Sequence, residues 1–358
     1  MNAPNSRGKI AVNNYFTEND FHDLAFAPGR IDPRDQGLRA FKDYFSRRGI
    51  EVHTVDMVDF QDSSLDYVIY FDLSWRYFKS DPFIHHIPRE KLVLVMLEPP
   101  NVNPSLYYVP YYRRHFSVVF TWNTALIARN SSYVRINVPA GVDINRYQEN
   151  PFPDIPFSRK KLLVAINRNR WAYMPQSTYG LRIRTFEHFE RKCPDDFDLY
   201  GEGWNQPRVF YERWFGYRKF KNYRGAFQYV FEAKIPILAR YKFCLCFENN
   251  ASEPGYISEK IIDAFCARCV PIYYGWEKAD EFIPKECFIN FRDFRNCGQL
   301  TRFLRQVDEF QYRQYIAAIE KFLNSPEAQF FTNEHLYSVL FERLYLRRPF
   351  AESKEGNA

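Results

Sequence analysis

The chain has 358 residues, enough for two domains of ordinary size, and 46% of them are apolar, which provides a large core and argues against global disorder. Its formal net charge of +6 is too mild for a nucleic-acid surface; it suits a small anionic ligand, or weak attraction to an acidic membrane face. The aromatic share of 19% fits an aromatic-rich core or the recognition of flat polar rings such as sugars and bases. The start, "MNAPNSRGKIAVNNYF", has no apolar h-region, and no run of about 18 apolar residues follows, so the expected location is the cytoplasm. Seven cysteines, an odd number, read as free thiols in that setting. Cys266 and Cys269 have C-x-x-C spacing, but they close a helix rather than open one and have no second ligand pair, so they read as structural.

In chain order, "KIAVNNYF" is the first expected strand. "GLRAFKDYFSRRG" places Leu38, Phe41, Tyr44 and Phe45 at helical spacing, with Gly49 as the stop. The runs "IEVHTVD", "LDYVIYFDL", "KLVLVML", "FSVVFTW" and "YVRINVP" are short and β-rich. Near-continuous apolar strands between helices predict a parallel sheet covered on both faces over residues 1–149. A proline-rich connector, "NPFPDIPFSRKK", spans 150–161 and makes a stiff link. The pattern restarts over 162–330: strand "KKLLVAI", helix "YGLRIRTFEHFERK", strand "FDLYG", strand "RYKFCLCFEN", a helix from Glu259, strand "VPIYYG". Residues 331–358 form a C-terminal helix and tail. The expected class is α/β, with two doubly wound Rossmann-like domains facing an interdomain cleft, the GT-B arrangement of nucleotide-sugar transferases.

In open α/β sheets a ligand site lies at the carboxyl ends of the strands. "FENNASEPGYISEKIIDAF" occupies such an end and passes into a helix. Ser258 is a suitable N-cap. Lys260 then stands in the first turn, where the helix dipole repels a cation. A bound diphosphate reverses that sign, because free backbone N–H groups and Lys260 would address one negative charge; the alternative is a solvated lysine of small cost. Glu259, about 100° round the helix, suits ribose or sugar hydroxyls instead. Pro254-Gly255 permits a sharp turn and close approach to a ligand. Neither G-x-G-x-x-G nor a P-loop motif occurs. Asp196-Phe197-Asp198 has the D-x-D spacing of a metal site, but it runs into a strand, so no divalent metal is expected to be required; stimulation by Mn2+ through phosphate screening stays open. Glu98 follows the apolar run "LVLVML" and precedes Pro99-Pro100, which hold its carboxylate at the rim of the first sheet.

The stretch "YKFCLCFENNASEPGYISEKIIDAFCARCVPIYYG" with "FIPKECFINFRDF", and the ordered landmarks "LYGEGW", "YRGAF", "FEN", "YISEK" and "CFIN", resemble glycosyltransferase family 10, the α-1,3/4-fucosyltransferases, and its bacterial members most of all. The resemblance covers roughly residues 160 to 300 and implies a GT-B fold, GDP-fucose as donor, and inversion at the anomeric carbon. It implies that Asn249, Tyr256, Glu259 and Lys260 contact the donor, that Arg184 binds the diphosphate with Arg182 as runner-up, and that Glu98 is the general base. That role needs an ionised carboxylate, which a glutamate near its reference value of about 4.3 supplies. The first domain would bind the acceptor, an oligosaccharide or glycolipid. There Trp75, Tyr77, Tyr107, Tyr108, Tyr111 and Tyr112 either stack on sugar faces or pack. Another GDP-sugar, or an inactive glycan-binding relative, are the alternatives. Near the end, "HLYSVLFERLYLRRPF" offers Leu336, Val339, Leu340 and Leu344 beside Arg343, Arg347 and Arg348: a basic amphipathic helix that either packs back on the first domain or lies peripherally on the inner membrane face.

Overall fold

The computed structural model describes residues 8–14, 20–29, 33–73, 80–103, 114–140, 144, 155–170, 172, 176–207, 210, 212–217, 219–226 and 231–346. The six stacking candidates named above, residues 150–154 of the connector, and Arg347 and Arg348 lie outside them.

The first sheet has six strands: β1 (Gly8–Asn13), β2 (Ile50–Thr54), β3 (Leu65–Phe71), β4 (Leu92–Met96), β5 (Val118–Thr121) and β6 (Tyr133–Arg135). All pair in parallel, in the order β2-β1-β3-β4-β5-β6. The second has β7 (Lys161–Ile166), β8 (Phe197–Tyr200), β9 (Tyr241–Phe247), β10 (Val270–Tyr274) and the short β11 (Ile289–Asn290). It is also wholly parallel, in the order β8-β7-β9-β10-β11. Both sheets thus follow the doubly wound order 2-1-3-4-5, which puts the topological switch point between β1 and β3 in one and between β7 and β9 in the other.

The apolar runs form central strands because both faces are covered. Val93 and Val95 of β4 face one core cluster, whereas Leu92, Leu94 and Met96 face another, as the two-residue period requires. Helix α1 (Pro33–Ser46) buries Leu38, Phe41 and Phe45 on the first of these faces and ends at Gly49, whose φ of 76° lies in the left-handed region. In the second unit, α2 (Tyr179–Lys192) follows β7, α3 (Phe231–Leu238) precedes β9, and α4 (Glu259–Cys266) joins β9 to β10. Helices α5 (Cys297–Gln306) and α6 (Glu309–Leu323) complete its shell. Six of the seven thiols, Cys266 and Cys269 among them, are buried and free.

Helix α7 (Asn333–Phe341) leaves the second unit and returns to the first. Its Leu336, Tyr337 and Leu340, with Leu344 beyond it, join the core under α1, and the Tyr337 hydroxyl donates to the Gly37 carbonyl at 2.7 Å. The apolar residues Leu336, Leu340 and Leu344 of this segment are thus taken up by packing on the first unit. Among the described residues, no helix is long and apolar enough to cross one. Leu340→Ala should therefore cost about 2–5 kcal/mol of stability in urea unfolding, the usual effect of emptying a closed core position.

Candidate active site

The rims of the two sheets meet. The turn after β5 touches the loop after β9: the Thr124 N–H donates to the Pro254 carbonyl at 3.0 Å, and Asn123 Nδ2 to Glu253 Oε2 at 3.2 Å. Asn101 Nδ2 donates to the Asn249 carbonyl at 2.8 Å. Trp122 lies against Tyr256 with ring centroids 4.9 Å apart. Gly255, at φ 91°, makes the sharp turn its sequence suggested, but its close neighbour is protein rather than ligand. A Cβ there would stand 2.3 Å from the Trp122 carbonyl oxygen.

Directly after β9 comes Glu248, fully buried. Its carboxylate accepts the Ser258 N–H at 2.8 Å and the Ser258 hydroxyl at 2.6 Å, and lies 3.5 Å from Lys260 Nζ. Ser258 caps α4 as expected, accepting from the Lys260 N–H, and its Oγ also accepts from Lys260 Nζ at 2.9 Å. A lysine at a helix N-terminus is thus held by a buried carboxylate beneath it. Burial opposes the Lys260 charge, but Glu259, Glu248 and Glu98 outweigh burial and Arg182, so its proton is held more tightly than in an ordinary lysine. Glu259 is set against it, 3.5 Å from Nζ. Burial would raise Glu259, but Lys260 and Lys234 pull it below the usual carboxylate range.

Arg182 is 4% exposed on the apolar stripe of α2, with Tyr179, Phe186 and Phe189. Its Nη2 donates to the Phe247 carbonyl at 2.5 Å and to Asn249 Oδ1 at 3.0 Å. Arg184, two positions on, is exposed, and its charge is felt at Cys297 rather than in this cluster. The geometry therefore brings the runner-up arginine to the site and leaves the first choice outside it. The D-x-D residue Asp198 is engaged by Lys161, Arg224 and the Tyr241 hydroxyl, so its carboxylate is committed within the second sheet.

Across the cleft stands Glu98, half-buried. Burial raises its carboxyl above the ordinary value, with Glu259 and Glu248 adding to the effect and Lys260 and Arg170 opposing it. The expectation of an ordinary glutamate value does not hold; the carboxylate is a stronger base than a surface glutamate. The sequence reading assigned nothing to Glu248, to Asp72, or to Arg170 on the loop after β7. The first two were legible, since Asp72 ends "YVIYF" and Glu248 ends "KFCLCF" just as Glu98 ends its strand.

Several buried polar atoms at these rims have no partner among the described residues: Arg182 Nε, Asn101 Oδ1, Asn167 Oδ1, Asn169 Oδ1 and Asn250 Nδ2. Buried polar groups are nearly always satisfied, so these atoms fit a polar ligand at the rims. Beside them, at the carboxyl ends of β7 and β8, a polar cavity of about 570 Å³ is lined by Arg168, Asn169, Arg170, Glu202 and Tyr223 among others.

Two facing parallel sheets of this order, with the charged cluster between them, define a GT-B protein. Over 94% of its length the chain is similar to a crystal structure of an alpha1,3-fucosyltransferase (TM-score 0.52, 16% identity, 89% of that chain). It is likewise similar to T4 phage beta-glucosyltransferase (TM-score 0.54, 11% identity, 94% of this chain and 99% of that one). At such identity these likenesses speak for the fold alone. Residues 185–337 match the model of "Glycosyltransferase family 10 (fucosyltransferase) C-term", the family that the sequence motifs resemble. Among curated relatives, the alpha-(1,3)-fucosyltransferase FucT of Helicobacter pylori is 33% identical over 120 residues, 33% of this chain and 25% of that protein. The mouse 4-galactosyl-N-acetylglucosaminide 3-alpha-L-fucosyltransferase 9 is 38% identical over 77 residues, 21% of each chain. The alignments span a quarter or less of these relatives. Asn249, Tyr256, Glu259 and Lys260 fall inside the family match; Glu98 and both arginines precede it.

Removing the carboxylate beneath Lys260 leaves a buried cation with too few partners. Glu248→Ala is expected to lower stability by about 3–5 kcal/mol, read by urea unfolding.

Proposed function

We propose that this chain is an inverting fucosyltransferase that moves L-fucose from GDP-fucose to a hydroxyl of a glycan acceptor, through an α-1,3 or α-1,4 linkage to a GlcNAc- or glucose-type residue. The observation that carries the reading is the Lys260–Glu259 pair at the N-terminus of α4, facing Glu98 across the cleft. The reading is supported by the family match over the second half and by the identity of the curated relatives.

In this mechanism the diphosphate lies at the start of α4. Its negative charge takes over from the carboxylates as the main partner of Lys260, and Arg182 adds a second cation beside Asn249. As the C1–O bond to the β-phosphate breaks, the electron pair leaves with GDP, and these cations stabilise it. Glu98 takes the proton of the acceptor hydroxyl as the new bond forms at C1 from the opposite face. Glu259, Asn249 and Tyr256 hold the sugar and ribose. No general acid is required once the leaving charge is neutralised. The commitment of Asp198 to Lys161, Arg224 and Tyr241 supports a reaction that needs no protein-bound divalent metal at that motif.

The test is GDP release from GDP-fucose with and without acceptor, across galactose- and N-acetylglucosamine-containing glycans. Acceptor-dependent release supports the reading. Release only from another GDP-sugar, or glycan binding without release, would replace it. Lys260→Ala should weaken GDP binding by about 1.5–3 kcal/mol in calorimetry, the worth of a charge-assisted hydrogen bond. Arg182→Lys should weaken it too, while Arg184→Ala leaves it unchanged; the reverse order would restore the arginine first read from the sequence.

Glu98→Gln should lower kcat by about 10²–10⁴-fold with GDP affinity intact. Because the base must be ionised, rate is lost as pH falls through its pKa. Burial raises that pKa, so the acid limb of kcat/KM for acceptor should lie above the ordinary glutamate range. A Glu98→Gln enzyme within about threefold of wild type would remove Glu98 from the reaction.

A further inference from the structure

Three acidic residues end apolar strands at the cleft, and one of them, Asp72, has no part in the mechanism above. It follows β3, is 6% exposed, and has φ 58°, a left-handed conformation that Asp and Asn adopt more readily than other residues with a side chain. Its own N–H donates to the Val95 carbonyl at 2.7 Å and thereby continues the ladder between β3 and β4. Its carboxylate turns across the end of β4 and accepts the Leu97 N–H at 2.8 Å and the Glu98 N–H at 3.1 Å. The Leu97 carbonyl in turn accepts the Trp122 indole N–H at 3.1 Å. The peptide that carries Glu98 is thus clamped from the β3 side and the β5 side together.

A neutral acceptor would cap those amides at lower desolvation cost. The choice of a carboxylate is costly here, because the side chain is buried and the charge it faces is Glu98. We propose that Asp72 is the positioning residue of Glu98: its buried carboxylate, accepting the Leu97 and Glu98 N–H groups, fixes the Glu98 peptide at the cleft rim. The inference rests on Glu98 serving as the base.

Burial, and then the charge of Glu98, push Asp72 up to about 7, against the pull of the two amides. In such a pair the repulsion belongs to both groups, so protons leave in two separated steps. The two steps belong to the pair, and the charge gained in the upper one, near neutral pH, makes the Glu98 carboxylate more basic. The other charges facing Glu98 come from the second unit: Lys260 and Glu259 on α4, Glu248 after β9, and Arg170 after β7.

The test is Asp72→Asn, since asparagine tolerates the left-handed backbone and its amide oxygen can accept both N–H bonds, but it carries no charge and sets an NH2 donor where Oδ2 lies 3.3 Å from the Glu98 nitrogen. Asp72→Gly, free of the positive-φ cost, is the second variant. Both should keep GDP affinity and lower kcat by about 10–100-fold, the scale of a displaced catalytic group. The pH–rate profile of the wild type should rise in two steps, and the upper one should vanish in both variants. Carboxyl ¹³C NMR of the unliganded protein, with the Glu98 signal assigned through Glu98→Gln, should show the same loss. If neither protein turns over GDP-fucose, the proposed function fails and the NMR titration still decides the pairing. Folded variants with unchanged kcat, or a Glu98 signal that titrates alike with and without the Asp72 carboxylate, would overturn the proposal.

Discussion

The carboxylate of Glu248 is the interaction on which the site depends. A fully buried anion is tolerated only where donors converge on it, and here the Ser258 amide, the Ser258 hydroxyl and the Lys260 ammonium do so. That arrangement fixes where α4 starts, which side of it Lys260 occupies, and how the chain leaves β9. The rest of the cluster is built outward from it. Arg182 reaches the carbonyl of Phe247, the residue before, and the side chain of Asn249, the residue after. The conflict between a lysine and the dipole of its own helix is resolved by a counter-ion placed at the end of the neighbouring strand.

Because both sheets are parallel, all their carboxyl ends point to one rim each, and the two rims face. Four groups of the cluster sit one or two residues beyond a strand: Asp72 after β3, Glu98 after β4, Trp122 after β5, Glu248 after β9. Strand ends are well placed for this purpose. The strand is held on both sides by its ladder, so the residue just past it inherits a fixed origin while its side chain is free of the sheet.

Much of this was legible before any coordinates. The quoted helix "YGLRIRTFEHFERK" coincides with α2, Ser258 caps α4, and the apolar runs became central strands, because period and capping act locally. What was missed is what side chains find across the fold. Arg182 and Arg184 differ by two positions, hence about 200° around the helix, and only packing decides which one turns inward. Tyr179, Arg182, Phe186 and Phe189 do share a stripe, so the inward arginine could have been found by treating it as part of the apolar face. Glu98 looked like an ordinary glutamate because the charges around it come mostly from the other unit. The same holds at Gly255: its sharp turn is local, but its neighbour Trp122 is 133 positions away in sequence.

The return of α7 to the first unit has a mechanical consequence. Among the described residues the chain crosses between the units twice, once between Ile136 and Ala140 on the way out and once between Phe331 and Leu336 on the way back, and the two crossings lie side by side: the Ala140 N–H donates to the Phe331 carbonyl at 2.7 Å. A pair of bodies joined by one strap can swivel and slide. Joined by two adjacent straps, they act as a door on a hinge, with one rotational freedom and its axis along the straps. Opening would then separate the rims as a single arc, widest at the edge farthest from Ala140 and Phe331, so that the two rims always meet again in the same register.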